Sequence, residues 1–331
     1  MKRFDPISLL FVFVCYASIA YSQANVPLKL SQTIPLPGVD GRIDHMSVDV
    51  KGQRLFVAAL GNNTMEVVDL VQSKRIRSIT GLKEPQGVAY LSDLDQIIVA
   101  NGGDGTVLTF DGKSFAMISS LMLGDDADNV RYDSMAGRIV VGYGDGALGF
   151  IDSKAHKIIS SIKFSGHPES FQLEKSRPRI YVNVPNANHI AVVDSRKQAV
   201  ITTWPVGQFR ANFPMALDEA DHRLFVGTRN PARLVVIDTE SGKQIGALII
   251  ASDTDDVFFD QENRRIYVST GEGYMHAFSQ TDADHYHQTA KIPIGSGART
   301  SLFVPELRKL YVAVPHRGSQ ECAIRVYDVM R

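Results

Sequence analysis

The sequence predicts an all-β fold: a seven-bladed β-propeller of four-stranded antiparallel blades. Three observations carry this: a phrase that returns seven times, strand-type patterning around each return, and a spare strand near the N-terminus. The phrase reads RLFV from Arg54, QIIV from Gln96, RIVV from Arg138 and RIYV from Arg179, then RLFV from Arg223, RIYV from Arg265 and KLYV from Lys309. Successive starts lie 42, 42, 41, 44, 42 and 44 residues apart. Short strands recurring at that period mark propeller blades.

Taken in chain order, the first element is a predicted secretory signal over residues 1–22. Lys2 and Arg3 precede an apolar stretch from Ile7 to Ala20, and the small residues Ala20 and Ser22 flank Tyr21 before a cut at Gln23. The stretch is short of the roughly 20 apolar residues that span a bilayer. An uncleaved anchor is the alternative; Cys15 follows Val14, where a lipoprotein signal wants a small residue. The expectation is therefore an exported chain, periplasmic or secreted, with no membrane span after signal removal. Its single domain would cover residues 23–331.

The first blade shows the repeat plainly: strand a at His45–Val50, b at Arg54–Leu60, c at Thr64–Leu70 and d at Lys74–Ile79. Strand c recurs as MEVVD, TVLTFD, ALGFID, IAVVD, LVVID, MHAFS and IRVYD, rich in the β-branched and aromatic residues that suit a pleated sheet. Asp69, Asp111, Asp152, Asp194, Asp238 and Asp328 close most of these runs, where an Asp side chain accepts from turn amides. The last repeat stops at strand c, with IRVYDV from Ile324 near the chain end. Its fourth strand is predicted at Leu28–Leu36, which closes the ring and removes two unpaired sheet edges.

Composition excludes several functions. With 35 basic and 36 acidic residues the net charge is −1, so no bias favours nucleic acid or an anionic membrane. Once the signal is removed Cys322 stands alone, so there is no internal disulfide, no CxxCH for covalent haem and no Cys/His zinc cluster. No GxSxG elbow, phosphate loop or HExxH helix occurs. The HYH at His285–His287 falls in a predicted surface loop between strands c and d of blade 6.

The phrases YVNV from Tyr181, YVST from Tyr267 and YVAV from Tyr311, with degenerate versions such as FVAA from Phe56, resemble the YVTN-repeat β-propeller family. The resemblance covers residues 28–331. It implies the fold; the family spans surface-layer, periplasmic and enzyme-associated propellers and implies no single function. The single tryptophan, Trp204, and the lack of repeated GH…WD pairs set the chain apart from WD40 propellers.

The expected working face is the one on which the d–a and b–c loops open. Ten residues before each strand b, at the mouth of strand a, stand Asp44, Gln86, Asp128, Glu169, Phe213, Asp255 and Arg299. Blade 5 has a longer a–b segment, so Asn212 is expected in place of Phe213. The next positions are His45, Gly87, Asn129, Ser170, Pro214, Asp256 and Thr300. With Asp126, Asp253 and Asp256 this makes seven acids, against Arg299 and Arg210, an imbalance that suits a hard divalent cation such as Ca²⁺ or Mg²⁺. Asp44, Asp128, Glu169 and Asp255 are the candidate metal ligands; loop capping and salt bridges are the structural alternative. From the b–c loops, Tyr143, Tyr274, His316 and Arg317 are expected to touch a ligand; Arg229 and His189 are among the other polar side chains there.

The function expected first is a binding propeller holding a small polar ligand or a partner protein in this acidic mouth. The second is a divalent-metal hydrolase of the lactonase kind, by fold-level analogy, with His45 or His167 as general base. Nucleic-acid binding is third and disfavoured, because the mouth is acidic and lacks an aromatic-basic groove.

Overall fold

The computed structural model describes residues 26–331, and the predicted signal at 1–22 lies outside the described residues. Seven sheets, each of four antiparallel strands in sequence order, form a propeller. Blade 1 comprises Met46–Asp49, Arg54–Ala59, Thr64–Asp69 and Lys74–Ile79, which trims the predicted strands by one residue at four of their eight ends. Blade 7 is built from Ser301–Val304, Lys309–Val314 and Ala323–Val329, with Leu28–Pro35 as its outer strand. That outer strand pairs Leu28 with Val329 and Pro35 with Ala323, so the N-terminal segment closes the ring as the spare strand predicted.

The hydrophobic core is divided among the seven junctions between blades. At the first, Phe56, Ala58 and Met65 of blade 1 pack against Val88, Ile97 and Phe110 of blade 2. At the closing junction Ile34, Leu36 and Ile324 pack against Leu55 and Val57, all at most 0 % exposed. Strand b is buried on both faces, as RLFVAA from Arg54 shows, because a blade is sandwiched between two others; this is why the recurring phrase is continuous rather than alternating. Outer strands such as Lys74–Ile79 are largely exposed.

Two devices recur that the sequence pattern did not announce. Every pairing of strands c and d carries a register shift, for example between Phe150 and Ile151, and blade 7 shows its own between Leu30 and Gln32. Such bulges add twist where the sheet turns outward. The polar residue that opens strand b also reaches the following blade. Arg138 donates to the Ser195 carbonyl at 3.4 Å, Arg179 to Thr239 at 3.2 Å and Arg223 to Ala283 at 3.0 Å, while Arg54 and Arg265 bond the Gly112 and Met330 carbonyls. In blade 2, Gln96 meets His156 at 3.2 Å instead. These contacts staple successive blades at the face opposite the mouth.

The acids that close strand c serve turns, as their position predicts. Asp69, Asp111, Asp152, Asp194 and Asp238 each accept from backbone amides two or three residues on. Asp328 instead pairs with Lys309 across the blade. One loop expectation is corrected: Tyr286 opens an outer strand, Tyr286–Pro293, and its ring meets Phe225 edge-on at 5.6 Å, so apolar packing draws this segment into the blade.

Candidate functional site

Inner strands begin at the mouth of the central channel, and their first residues gather there. Asp44 is 2 % exposed, with Oδ2 2.7 Å from Arg42 Nη2. The Arg42 N–H is not aimed at this oxygen, so Oδ2 keeps charge contact without a hydrogen bond. His45 sits among three acids: Nε2 lies 3.7 Å from Asp44 and 4.0 Å from Asp128, and Nδ1 lies 3.7 Å from Asp256. Its neighbour across the mouth, His167, bonds the Gly144 carbonyl through Nδ1 at 2.6 Å, and its Nε2 stands 3.9 Å from Asp128. Ligand atoms of Asp128, His167 and Glu169 all lie within 4.8 Å of one another. On the far side, Asp255 is held between Arg229 at 2.6 Å and Arg299 at 2.9 Å, and Arg299 also donates to Asp253 at 2.9 Å.

This crowding sets the proton affinities. Burial, reinforced by Asp128, Asp255 and Asp44, pushes the Glu169 carboxyl up to about 8. Burial likewise lifts Asp44 to about 6 and Asp256 to about 7, against the pull of His45. For Asp128, burial is outweighed by His167, His45 and Arg42, which hold its carboxyl below the usual range. Burial opposes charge on both imidazoles, but the surrounding acids win: His45 is raised, and His167 is raised to about 9 by Asp128, the Gly144 carbonyl and Glu169. At about 9, His167 suits a donor rather than a general base, since a base must be able to accept a proton, and the upward shift of His45 acts in the same direction.

Asp128 Oδ1 and Asn129 Oδ1 are buried without a hydrogen-bond partner, whereas Asp44 Oδ2 and Asp255 Oδ2, also without one, lie 2.7 and 2.9 Å from the Arg42 and Arg299 guanidinium nitrogens. A buried acceptor left without a donor costs free energy, and charged ones cost most. Oxygens oriented this way complement a cation. Asp128, Glu169 and His167 fit a divalent ion in donor type, with Asp44 supplying a further carboxylate nearby.

Other sequence candidates fall elsewhere. Gln86 is at the mouth, donating to Asp126 at 2.8 Å, and beside it blade 2 approaches blade 3 so closely that a Cβ on Gly87 would lie 2.0 Å from the Asp128 carbonyl. Asn212 does not replace Phe213: it is fully buried and donates to Asn183 and the His189 carbonyl, joining blades 4 and 5. Phe213 takes the mouth position, with Arg229 3.9 Å above its ring, because strand a of blade 5 shifts register between Asn212 and Met215. Tyr143 turns outward along its own blade to Ser161 at 2.9 Å, and Tyr274 carries Lys291 over its ring at 3.9 Å, so neither points at the mouth. His316 pairs with Asp40 at 3.0 Å and Arg317 lies over Gly297, both on exposed loops. Arg210 is exposed and makes no ion pair among the described residues; Arg42 and Arg229 take the role expected of it. Arg42 was missed because counting back from strand b stops two residues after it.

Fold and site together define a seven-bladed β-propeller with an acidic, partly neutralised axial mouth. Among solved structures the chain is similar to a chain of the "Crystal Structure of Mitotic Checkpoint Complex", with TM-score 0.79, 14% identity, and 99% of this chain and 100% of that chain covered. It is also similar to a chain of "Kuenenia stuttgartiensis Hydrazine Synthase", with TM-score 0.70, 14% identity, and 84% and 96% covered. At that identity the likeness concerns the fold alone. No family model and no curated protein matches the chain.

Proposed function

We propose that this chain is an exported YVTN-type propeller that binds a small polar ligand carrying positive charge in its axial mouth, a divalent metal ion being the simplest ligand that fits. The supporting observation is Asp128 Oδ1, a buried carboxylate oxygen with neither a hydrogen-bond partner nor an arginine against it, beside the Asp128, His167 and Glu169 ligand atoms. Concavity favours a small ligand over a protein surface, which would reach these oxygens only through an inserted lysine or arginine. The YVTN phrases and the charged, apolar and small-residue order of the first 22 residues support the family and the export.

A metal-dependent hydrolase is the second reading, favoured by the Asp128–His167–Glu169 grouping. A metal there would polarise a carbonyl; this chain's residues would hold it, and His45 would act as a donor to the bound substrate rather than a base. Melting the protein with EDTA, then with Ca²⁺, Mg²⁺ or Mn²⁺, tests the shared premise, because a ligand that binds only the folded state raises the melting temperature. A rise with at least one cation, lost in Asp128→Asn, is the expected result. No response to any cation removes the metal from both readings.

A further inference from the structure

Below the mouth the channel widens into a cavity of about 450 Å³, within the size range of small-molecule sites. Its wall is formed by the inner strands; His45 and Asp256 line it at the mouth end, and most of the remaining residues are small, apolar or already bonded. Ser47 accepts from the Tyr90 amide, Gln172 donates to the Met215 carbonyl and Ser301 meets Ser269. His45 and Asp256 face each other at 3.7 Å, which leaves Arg131 as the charged wall residue without an ion-pair partner among the described residues. Its guanidinium lines this cavity, and no carboxylate comes within ion-pair distance of it among the described residues. One Nη1 bond to the Val130 carbonyl at 2.9 Å is its only recorded hydrogen bond, although the group has five N–H donors. The buried Phe171 ring lies 5.4 Å from Cζ and restrains the side chain from the adjacent blade.

We infer that the channel cavity, which adjoins the mouth at His45 and Asp256, is a second binding site in which Arg131 receives the carboxylate of a small organic acid. A guanidinium fork matches a carboxylate in geometry and binds it bidentately, and a fork held in place by stacking loses less freedom on binding. Burial draws the proton affinity of Arg131 down, while Asp256 and Asp128 support its charge from beyond contact distance. Those two acids also select the ligand. Their negative charge repels every further anionic group, so a monocarboxylate, which adds one, is favoured over a dicarboxylate or phosphate. An uncompensated second charge would be repelled in a buried setting.

The test is calorimetric titration of the purified protein with acetate, propionate and lactate, and with malonate and inorganic phosphate for comparison, at fixed ionic strength. Saturable binding of at least one monocarboxylate is expected, with malonate and phosphate weaker. Arg131→Met, which keeps the apolar stem, should lose at least tenfold in affinity, and Glu169→Gln, which alters the mouth but does not line this cavity, should retain binding. The last comparison separates failure of this site from failure of the mouth. Should Arg131→Met not fold, crystals of the unaltered protein soaked in propionate decide the matter: density beside the guanidinium supports the site. An empty channel, absent binding heats, or equal binding by a folded Arg131→Met protein would each overturn it.

Discussion

Replacing Glu169 by Gln should make the protein more stable in alkaline solution and leave it unchanged in acid. The carboxyl makes no side-chain hydrogen bond among the described residues, and burial with Asp128 at hand lifts it from 4.5 to about 8. Because the folded state holds this proton more tightly than the unfolded chain, the cost of ionisation is small near pH 5. It grows as pH rises from about 4.5 and is complete above about 8. At 1.36 kcal/mol for each tenfold step, the span is worth on the order of 5 kcal/mol. Asp128, Asp44 and Asp255 share the same field, and neighbouring terms do not add, so about 3 kcal/mol is the working figure. Unfolding entropy of about 2.1 cal/mol/K per residue converts this, for a chain of this length, into roughly 5 °C. Calorimetric melting in EDTA at pH 5 and pH 9 is the assay, the chelator keeping metal out of the mouth. Glu169→Gln should melt with the native protein at pH 5 and about 5 °C above it at pH 9. Equal differences at both pH values, or a variant less stable at pH 9, would refute the electrostatic picture.

Other expectations follow from the same coordinates. A cation entering the mouth should displace protons from Glu169 and His167, which sit at about 8 and about 9, so at pH 7 the heat of Mn²⁺ binding should depend on the buffer's ionisation enthalpy; identical heats in phosphate and Tris would contradict this. Ile34→Ala should cost about 3 kcal/mol, because Ile34 is fully buried where the ring closes, whereas Ile76→Ala on an exposed outer strand should cost under about 1 kcal/mol in denaturant titrations. Arg223→Met should cost about 2 kcal/mol by losing the staple to Ala283 and leaving Asp238 unpaired, again measured by denaturant melting. Mass spectrometry of the protein recovered from its natural compartment should find an N-terminus at Gln23; an intact start at Met1 would contradict export by a cleaved signal.

How much of this was legible in the sequence differs by level. The ring was legible because each blade must bury strand b on both faces, so RLFV, RIYV and KLYV return wherever that need returns. The closing strand was legible because the last repeat lacked a partner that Leu28–Pro35 could supply. The counted ring positions brought Asp44, Asp128, Glu169, Asp255 and Arg299 to one mouth, Asp255 even though its strand shifts register between Thr254 and Asp256. In blade 5 the plain count held, with Phe213 at the mouth under Arg229, and the substitution of Asn212 for it on the strength of the longer a–b segment failed, because Asn212 lies in a junction between blades. A single-residue shift reverses which face a side chain takes, so allowing one residue for the longer segment chose the wrong neighbour. The b–c loop side chains were the least legible, since loop position fixes the face but not the direction: Tyr143 and Tyr274 lie back along their own blades. Arg131 was passed over because it lies three places below the counted ring, where the cavity rather than the loop pattern gives it meaning.

Anomalous scattering from Mn²⁺-soaked crystals tests the mouth most directly. The account predicts a peak within bonding distance of Asp128, Glu169 and the His167 ring, reduced in Asp128→Asn. A mouth without a peak, in crystals whose Mn²⁺ is bound at other carboxylates, would contradict it.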